Sequence, residues 1–278
     1  MSDNVSRQAP IISSRGAGRV VGITDATHSR RAKMLPSLFI SHGSPMLALT
    51  ETPAHAFLRD LGRDYRPRAV VVVSAHWASR QLLVSTSARP ETIHDFGGFP
   101  RELFAVQYPA PGEPELARRL ARELNAVPTE RGLDHGAWVP LSLMFPAAEV
   151  PVVSLSLPML WSNAELVALG ERLAALREED ILVIGSGSLT HNLYEMLPLD
   201  AEMPPWVGEF ADWVEARLAA DDREALLAWE QGPKARENHP SPEHFQPLLV
   251  ALGAGGPGRR LHHSVEHGVL AMDVYAFA

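Results

Sequence analysis

Cysteine is absent from all 278 residues. That excludes disulfides, cysteine-bound zinc and a thiol nucleophile, and leaves histidine and carboxylate as the metal donors of consequence. No apolar run approaches the ~20 residues that span a bilayer, and no continuous apolar segment near the start suggests a secretory signal, so a cytoplasmic protein is expected. Positive charge is scarce as well. The 25 Lys and Arg against 33 Asp and Glu give a formal net charge of −8, which offers no basic stripe to nucleic acid or to a membrane surface. What is present is globular: 46% hydrophobic and 21% charged, in a chain long enough for one large α/β domain or two small ones.

Residues 1–33 stand apart from the rest. They carry Arg, Ser and Gly without apolar periodicity, and a disordered N-terminal extension is expected there. The folded part is expected to open at Met34 and to run through residues 34–278 as one domain. Strand patterns occur in LPSLFISHG, RPRAVVVVSAHW, LLVSTSA, VPVVSLSL and DILVIGSGSLT. The second is apolar on both faces, as in the middle of a largely parallel sheet. Helix patterns alternate with them: AHAFLRDLGRDY, ELARRLARELNA with Leu116, Leu120 and Leu124 on one face, and NAELVALGERLAAL with Asn163 as N-cap. PPWVGEFADWVEARLA, DREALLAWE and EHFQPLLVALGA follow, the last predicted to start near Glu243, and two strands around HHSVEH and VLAMDVYAF close the chain. The pattern predicts a single α/β domain with a central mostly parallel or mixed sheet flanked by helices.

Five histidines sit where the chain changes direction: His42 in SHGSP, His76 in SAHW, His135 in DHGAW, His191 in LTHN and His244 in SPEH. His42, His76 and His191 follow β-branched apolar runs, so a parallel sheet would bring them to its carboxyl edge, where open α/β sheets bind ligands. Imidazole suits Zn(II) and Fe(II) better than the oxygen-seeking Ca(II) and Mg(II). A metal centre at that edge is therefore expected. Glu243 beside His244 is the alternative donor, and would complete two histidines and a carboxylate. His135 fits either a structural histidine or one that orients a substrate. His94 and Asp95 lie in HDFGGF, whose Gly-Gly pair with Phe96 and Phe99 suits a tight loop beside an aromatic pocket. His262, His263 and His267 read as an exposed edge strand. His28, His55 and His239 carry no argument beyond their positions. GSGSLT lacks the lysine of a phosphate loop and the third glycine of a dinucleotide fingerprint. It also lacks the register of a serine-nucleophile elbow.

Six motifs in order, SLFISHGSPM, VVVVSAHW, IHDFGGFPRELF with QYPAPG, LDHGAWVPL, IGSGSLTHNL and SPEHFQPLLVALGA, resemble the class III extradiol ring-opening dioxygenases. The resemblance is to the DOPA 4,5-dioxygenase-type branch, related to the catalytic subunit of protocatechuate 4,5-dioxygenase, and it covers Met34 to Ala278. It implies a non-haem metal, Fe(II) for turnover and often Zn(II) in isolated proteins, and a small catechol opened with O2. It also implies His42, His76 and His244 as metal ligands, with His191 as acid/base residue and possible further ligand. His135 would be a second catalytic group. Two alternatives fit the same scaffold: a redox-inactive binding module, and a zinc hydrolase using metal-bound water.

Overall fold

The structure is a computed structural model that describes residues 34–278; the expectation for residues 1–33 falls outside the described residues. The strands are β1 (Ser37–Ser41), β2 (Ala69–Ser79), β3 (Leu83–Ser85), β4 (Val127–Thr129), β5 (Val152–Pro158), β6 (Ile181–Gly187), β7 (Gly258–His262), β8 (Val265–Glu266), β9 (Leu270–Ala271) and β10 (Val274–Phe277). The helices are α1 (Pro53–Leu61), α2 (Arg101–Phe104), α3 (Pro114–Leu124), α4 (His135–Met144), α5 (Asn163–Leu173), α6 (Pro205–Ala219), α7 (Arg223–Leu227), α8 (Ala235–Asn238) and α9 (Gln246–Ala254). Eight strands form one sheet in the order β4-β3-β5-β2-β6-β1-β10-β7, and β8 pairs with β9. The central β5, β2, β6 and β1 run parallel. β10 pairs antiparallel with β1, β7 antiparallel with β10, and β3 antiparallel with β5. The sheet is mixed, as the sequence predicts.

The side-chain alternation of the strands divides the core into two layers. Val71 and Val73 of β2 face Leu120 of α3, Leu169 of α5 and Leu249 of α9. Val70 and Val72 face the other way, with Leu58 of α1 and Trp138 of α4. All four valines are fully buried, each a gain on the order of 2 kcal/mol over exposure. α5 and α9 cross closely on the first face because a Cβ on Gly170 would collide with the Val250 carbonyl, and one on Gly253 with that of Val167.

Three local expectations are corrected. Ser162, not Asn163, caps α5: its hydroxyl accepts from Glu165 N while the Glu165 carboxylate accepts from Ser162 N, a reciprocal capping box. The Asn163 amide instead donates to Leu227 O at 2.9 Å. α9 begins at Gln246 rather than near Glu243, because Pro247 has no N–H to donate and fits only the first helical turn. His244 therefore lies in the turn before the helix. The two closing strands are each broken, into β7 with β8 and β9 with β10. No helix among the described residues is long and apolar enough to cross a membrane.

Candidate active site

The neighbouring strands β2, β6 and β1 deliver the site from their carboxyl ends. His42 follows β1 directly, where Gly43 turns the chain with a φ of +62°. His76 lies inside β2, in the stretch where its pairing with β5 shifts register between Val73 and Ala78. β6 runs between those two strands, and His42 and His76 meet across its end. His42 Nε2 stands 3.1 Å from His76 Nε2, and His244 Nε2 stands 3.2 Å from the same atom.

The outer nitrogen of each ring decides what those inner nitrogens carry. Ser186 of β6 donates its hydroxyl proton to Gly136 O, so at His42 Nδ1, 3.0 Å away, it can only accept. His244 Nδ1 faces the Glu243 carboxylate at 3.1 Å, and His76 Nδ1 faces the Asp95 carboxylate at 3.4 Å. All three rings thus hold their proton on Nδ1 and turn an Nε2 lone pair toward one point. Three mutually close lone pairs without a proton between them repel, and a cation at their centre removes the conflict. With metal–nitrogen bonds of about 2.0–2.1 Å, donors about 3.0–3.4 Å apart suit such an ion, and the observed separations fall there. Three imidazole donors fit Zn(II) or Fe(II).

His135 opens α4, with Asp134 as N-cap accepting from Ala137 N. Asp134 also accepts from Ser74 at 2.6 Å and faces Arg131 at 3.5 Å. The His135 ring centroid lies 3.8 Å from that of His76. Asp95 Oδ1 accepts from both His135 Nδ1, at 2.9 Å, and His135 N, at 3.0 Å. His191, four residues beyond β6, stacks on His244 with centroids 3.4 Å apart and planes 9° apart. It groups with Glu243 and His244 rather than with the donor trio of His42, His76 and His244. His42, His76, Asp95, His135 and His191 line a cavity of about 250 Å³ with Pro45, Phe96, Phe99, Leu193, Met196 and Leu270. Larger recesses of about 450 Å³ beside α3 and 490 Å³ between α1 and α4 contain no histidine.

Burial and mutual proximity keep the cluster uncharged. His42 is pushed well below its ordinary value by burial, then by His76 and His135. Burial, His135 and His244 lower His76. Burial and then His244 bring His191 down to about 3. Burial lowers His244 although Glu243 opposes it. Glu243 itself falls to about 2, chiefly through the bond from His244. Burial works against ionisation of Asp95, but the bonds from His135 outweigh it and hold the carboxyl well below the usual range.

The sequence-predicted residues His42, His76, His135 and His191 all line the cavity, and His244 joins them through its contact with His76. His94 does not line it: its Nε2 bonds to Val106 O at 3.0 Å behind the aromatic wall. His262 stacks on Phe57 and His263 bonds to Asp273, away from the site. His239 is buried against Leu189 O. Asp95, placed by the sequence only in a loop beside an aromatic pocket, and Ser186 are supporting residues whose partners the sequence does not indicate. Only a long-range contact reveals them.

An α/β domain with a histidine cavity at the carboxyl edge of its central strands defines a metal-using enzyme of the open-sheet class. Residues 36–277 match the family model described as the catalytic LigB subunit of aromatic ring-opening dioxygenase. A 4,5-DOPA dioxygenase extradiol of Beta vulgaris is 40% identical over 256 residues, spanning 87% of this chain and 96% of the relative. A protein of the same description from Escherichia coli K12 is 40% identical over 79% of this chain and 85% of its own. A crystal structure of an uncharacterized Escherichia coli K12 protein superposes with a TM-score of 0.75 at 32% identity, covering 88% of this chain and all of that one. The chain belongs to this family. It is an extradiol aromatic ring-opening dioxygenase, and the binding-module and zinc-hydrolase alternatives give way to that activity.

Proposed function

We propose that His42, His76 and His244 hold the catalytic metal, Fe(II) for turnover, with Zn(II) able to occupy the same donors. The substrate is a small catechol, and the relatives' description makes 3,4-dihydroxyphenylalanine the first to try. The observation that carries the reading is the convergence of three Nε2 lone pairs beside the cavity, 3.1 and 3.2 Å apart at His76. Glu243 supports this assignment from behind by accepting from His244 Nδ1.

A bound iron would supply the point that holds both phenolic oxygens and the electron path to O2. The chain's own residues do the rest. Phe96, Phe99 and Leu270 offer the ring an apolar wall, which also keeps water out. His191 is neutral at pH 7 and can take a phenolic proton as the catechol enters, returning it to the opening product. Its place beside the donor trio favours a near-ligand that carries protons. His135, its Nδ1 held by Asp95, lines the cavity and can orient a substrate hydroxyl through its other nitrogen. Protein loaded anaerobically with Fe(II) should consume O2 and form yellow semialdehydes when catechols and air are added. A catechol panel without O2 uptake, with iron demonstrably bound, would overturn the proposal.

A further inference from the structure

We propose that Asp95 is a positioning residue: it sets the metal-seeking tautomer of His76 and ties that ring to His135 and to the aromatic wall of the cavity. The inference rests on the metal reading above. Asp95 sits in the loop between β3 and α2, immediately before Phe96 and four residues before Phe99. One carboxylate oxygen accepts twice from His135, at its backbone N (3.0 Å) and at Nδ1 (2.9 Å). The other oxygen faces His76 Nδ1 at 3.4 Å. A single carboxylate thus joins three segments: the aromatic loop, the first residue of α4 and the donor ring of β2.

What makes Asp95 specific is that all three of its contacts require an acceptor. A carboxylate accepts at both oxygens, and an amide accepts at only one. In Asp95→Asn the shape is kept, but the amide has only one workable orientation. Its oxygen must stay on His135, because the backbone N–H there cannot change its role. The NH2 group is then turned toward His76 Nδ1, where a donor would meet a donor. His76 escapes by moving its proton to Nε2, the nitrogen that points at His42 and His244. The substitution therefore blocks a metal donor without touching it. A merely structural role for Asp95 would leave the His76 tautomer as it was.

Two measurements test this. Titration of the metal-free protein with Zn(II) against a competing chelator should show Asp95→Asn binding 10–100-fold more weakly than wild type, the range typical of groups that orient a metal-binding histidine. Circular dichroism should show that the variant is folded. Long-range proton–nitrogen spectra of 15N-labelled, metal-free protein should place the His76 proton on Nδ1 in the wild type and on Nε2 in the variant. A variant that binds Zn(II) as tightly as wild type, or a wild-type His76 protonated on Nε2, would overturn the proposal. A wild type that binds no metal would sink the metal reading instead, and the tautomer measurement would still decide the role of Asp95. The same spectrum of the wild type decides it if the variant does not fold.

Discussion

Acidifying the metal-free protein should destabilise it steeply, because its buried histidines refuse protons that the unfolded chain accepts. An unfolded histidine titrates near pH 6.5. His42, His76, His191 and His244 are all lowered in the folded state. Below pH 6.5 the unfolded state therefore binds more protons, and stability falls as pH falls, until the folded groups themselves protonate. A histidine still neutral at pH 5.5 forfeits about 1.4 kcal/mol there. These four groups together contribute up to about 6 kcal/mol, comparable to the whole stability of a typical domain at about 5–15 kcal/mol, and His239 and His262, also lowered by burial, add to the same loss. Some groups push the other way. His263 is raised by its bond to Asp273, and burial raises Asp134 and Glu266, so each gains stability toward acid. A net loss of a few kcal/mol between pH 7.5 and 5.5 remains. Urea unfolding of chelator-treated protein at several pH values, followed by circular dichroism, reads it directly. A stability flat across that range would refute the reasoning, and His191→Asn should flatten the slope by about one proton.

The same neutrality means that Zn(II) binding to the folded protein at pH 7.5 should draw almost no protons from the histidines, leaving a release of no more than about the one proton of a metal-bound water, which calorimetry in buffers of different ionisation enthalpy would show. His42→Ala, His76→Ala and His244→Ala should each lose metal, whereas Glu243→Ala should retain it with affinity lowered about tenfold; metal content after gel filtration separates the two patterns. His191→Asn should keep metal and slow turnover about 10²–10⁴-fold, and metal loss as complete as in His42→Ala would instead make it a ligand. Gly136→Ala should bind metal weakly, since its Cβ would stand 2.5 Å from Ser74 Oγ, 3.1 Å from the His76 ring and 3.2 Å from that of His42; circular dichroism checks that the helix gain of about 1 kcal/mol for alanine over glycine keeps the variant folded against the Ser74 contact.

The fold was legible because its signals are local. The VVVV run of β2 announces a strand buried on both faces, and the four-residue spacing of Leu116, Leu120 and Leu124 announces a helix. His42, His76 and His191 were legible for the same reason, each standing at the end of such a run, whereas His135 and His244 open or precede helices. What could not be read was which strands are neighbours. β6 lies between β1 and β2 although it comes last of the three in the chain, and nothing in the sequence reports that order. Asp95 was undervalued because its partners stand 19 and 40 residues away, at His76 and His135. The start of α9 lies at Gln246 rather than near Glu243 because Pro247 must occupy the first helical turn, a restriction that no apolar periodicity reports.

The histidine cluster is a local conflict that the rest of the fold sustains. Three lone pairs pressed together at 3.1 and 3.2 Å oppose folding of the metal-free chain, and burial deprives them of water that would relieve the repulsion. Ser186, Asp95 and Glu243 hold the rings in that arrangement by taking their outer protons. Each belongs to a different segment: β6, the aromatic loop and the turn before α9. Relaxing His42 or His76 therefore breaks a contact to another segment, while His244 is held by its own chain neighbour. An arrangement that destabilises the empty fold is, by linkage, one in which a bound cation is worth more. The mutual repulsion of these donors and their affinity for a cation are two readings of the same geometry.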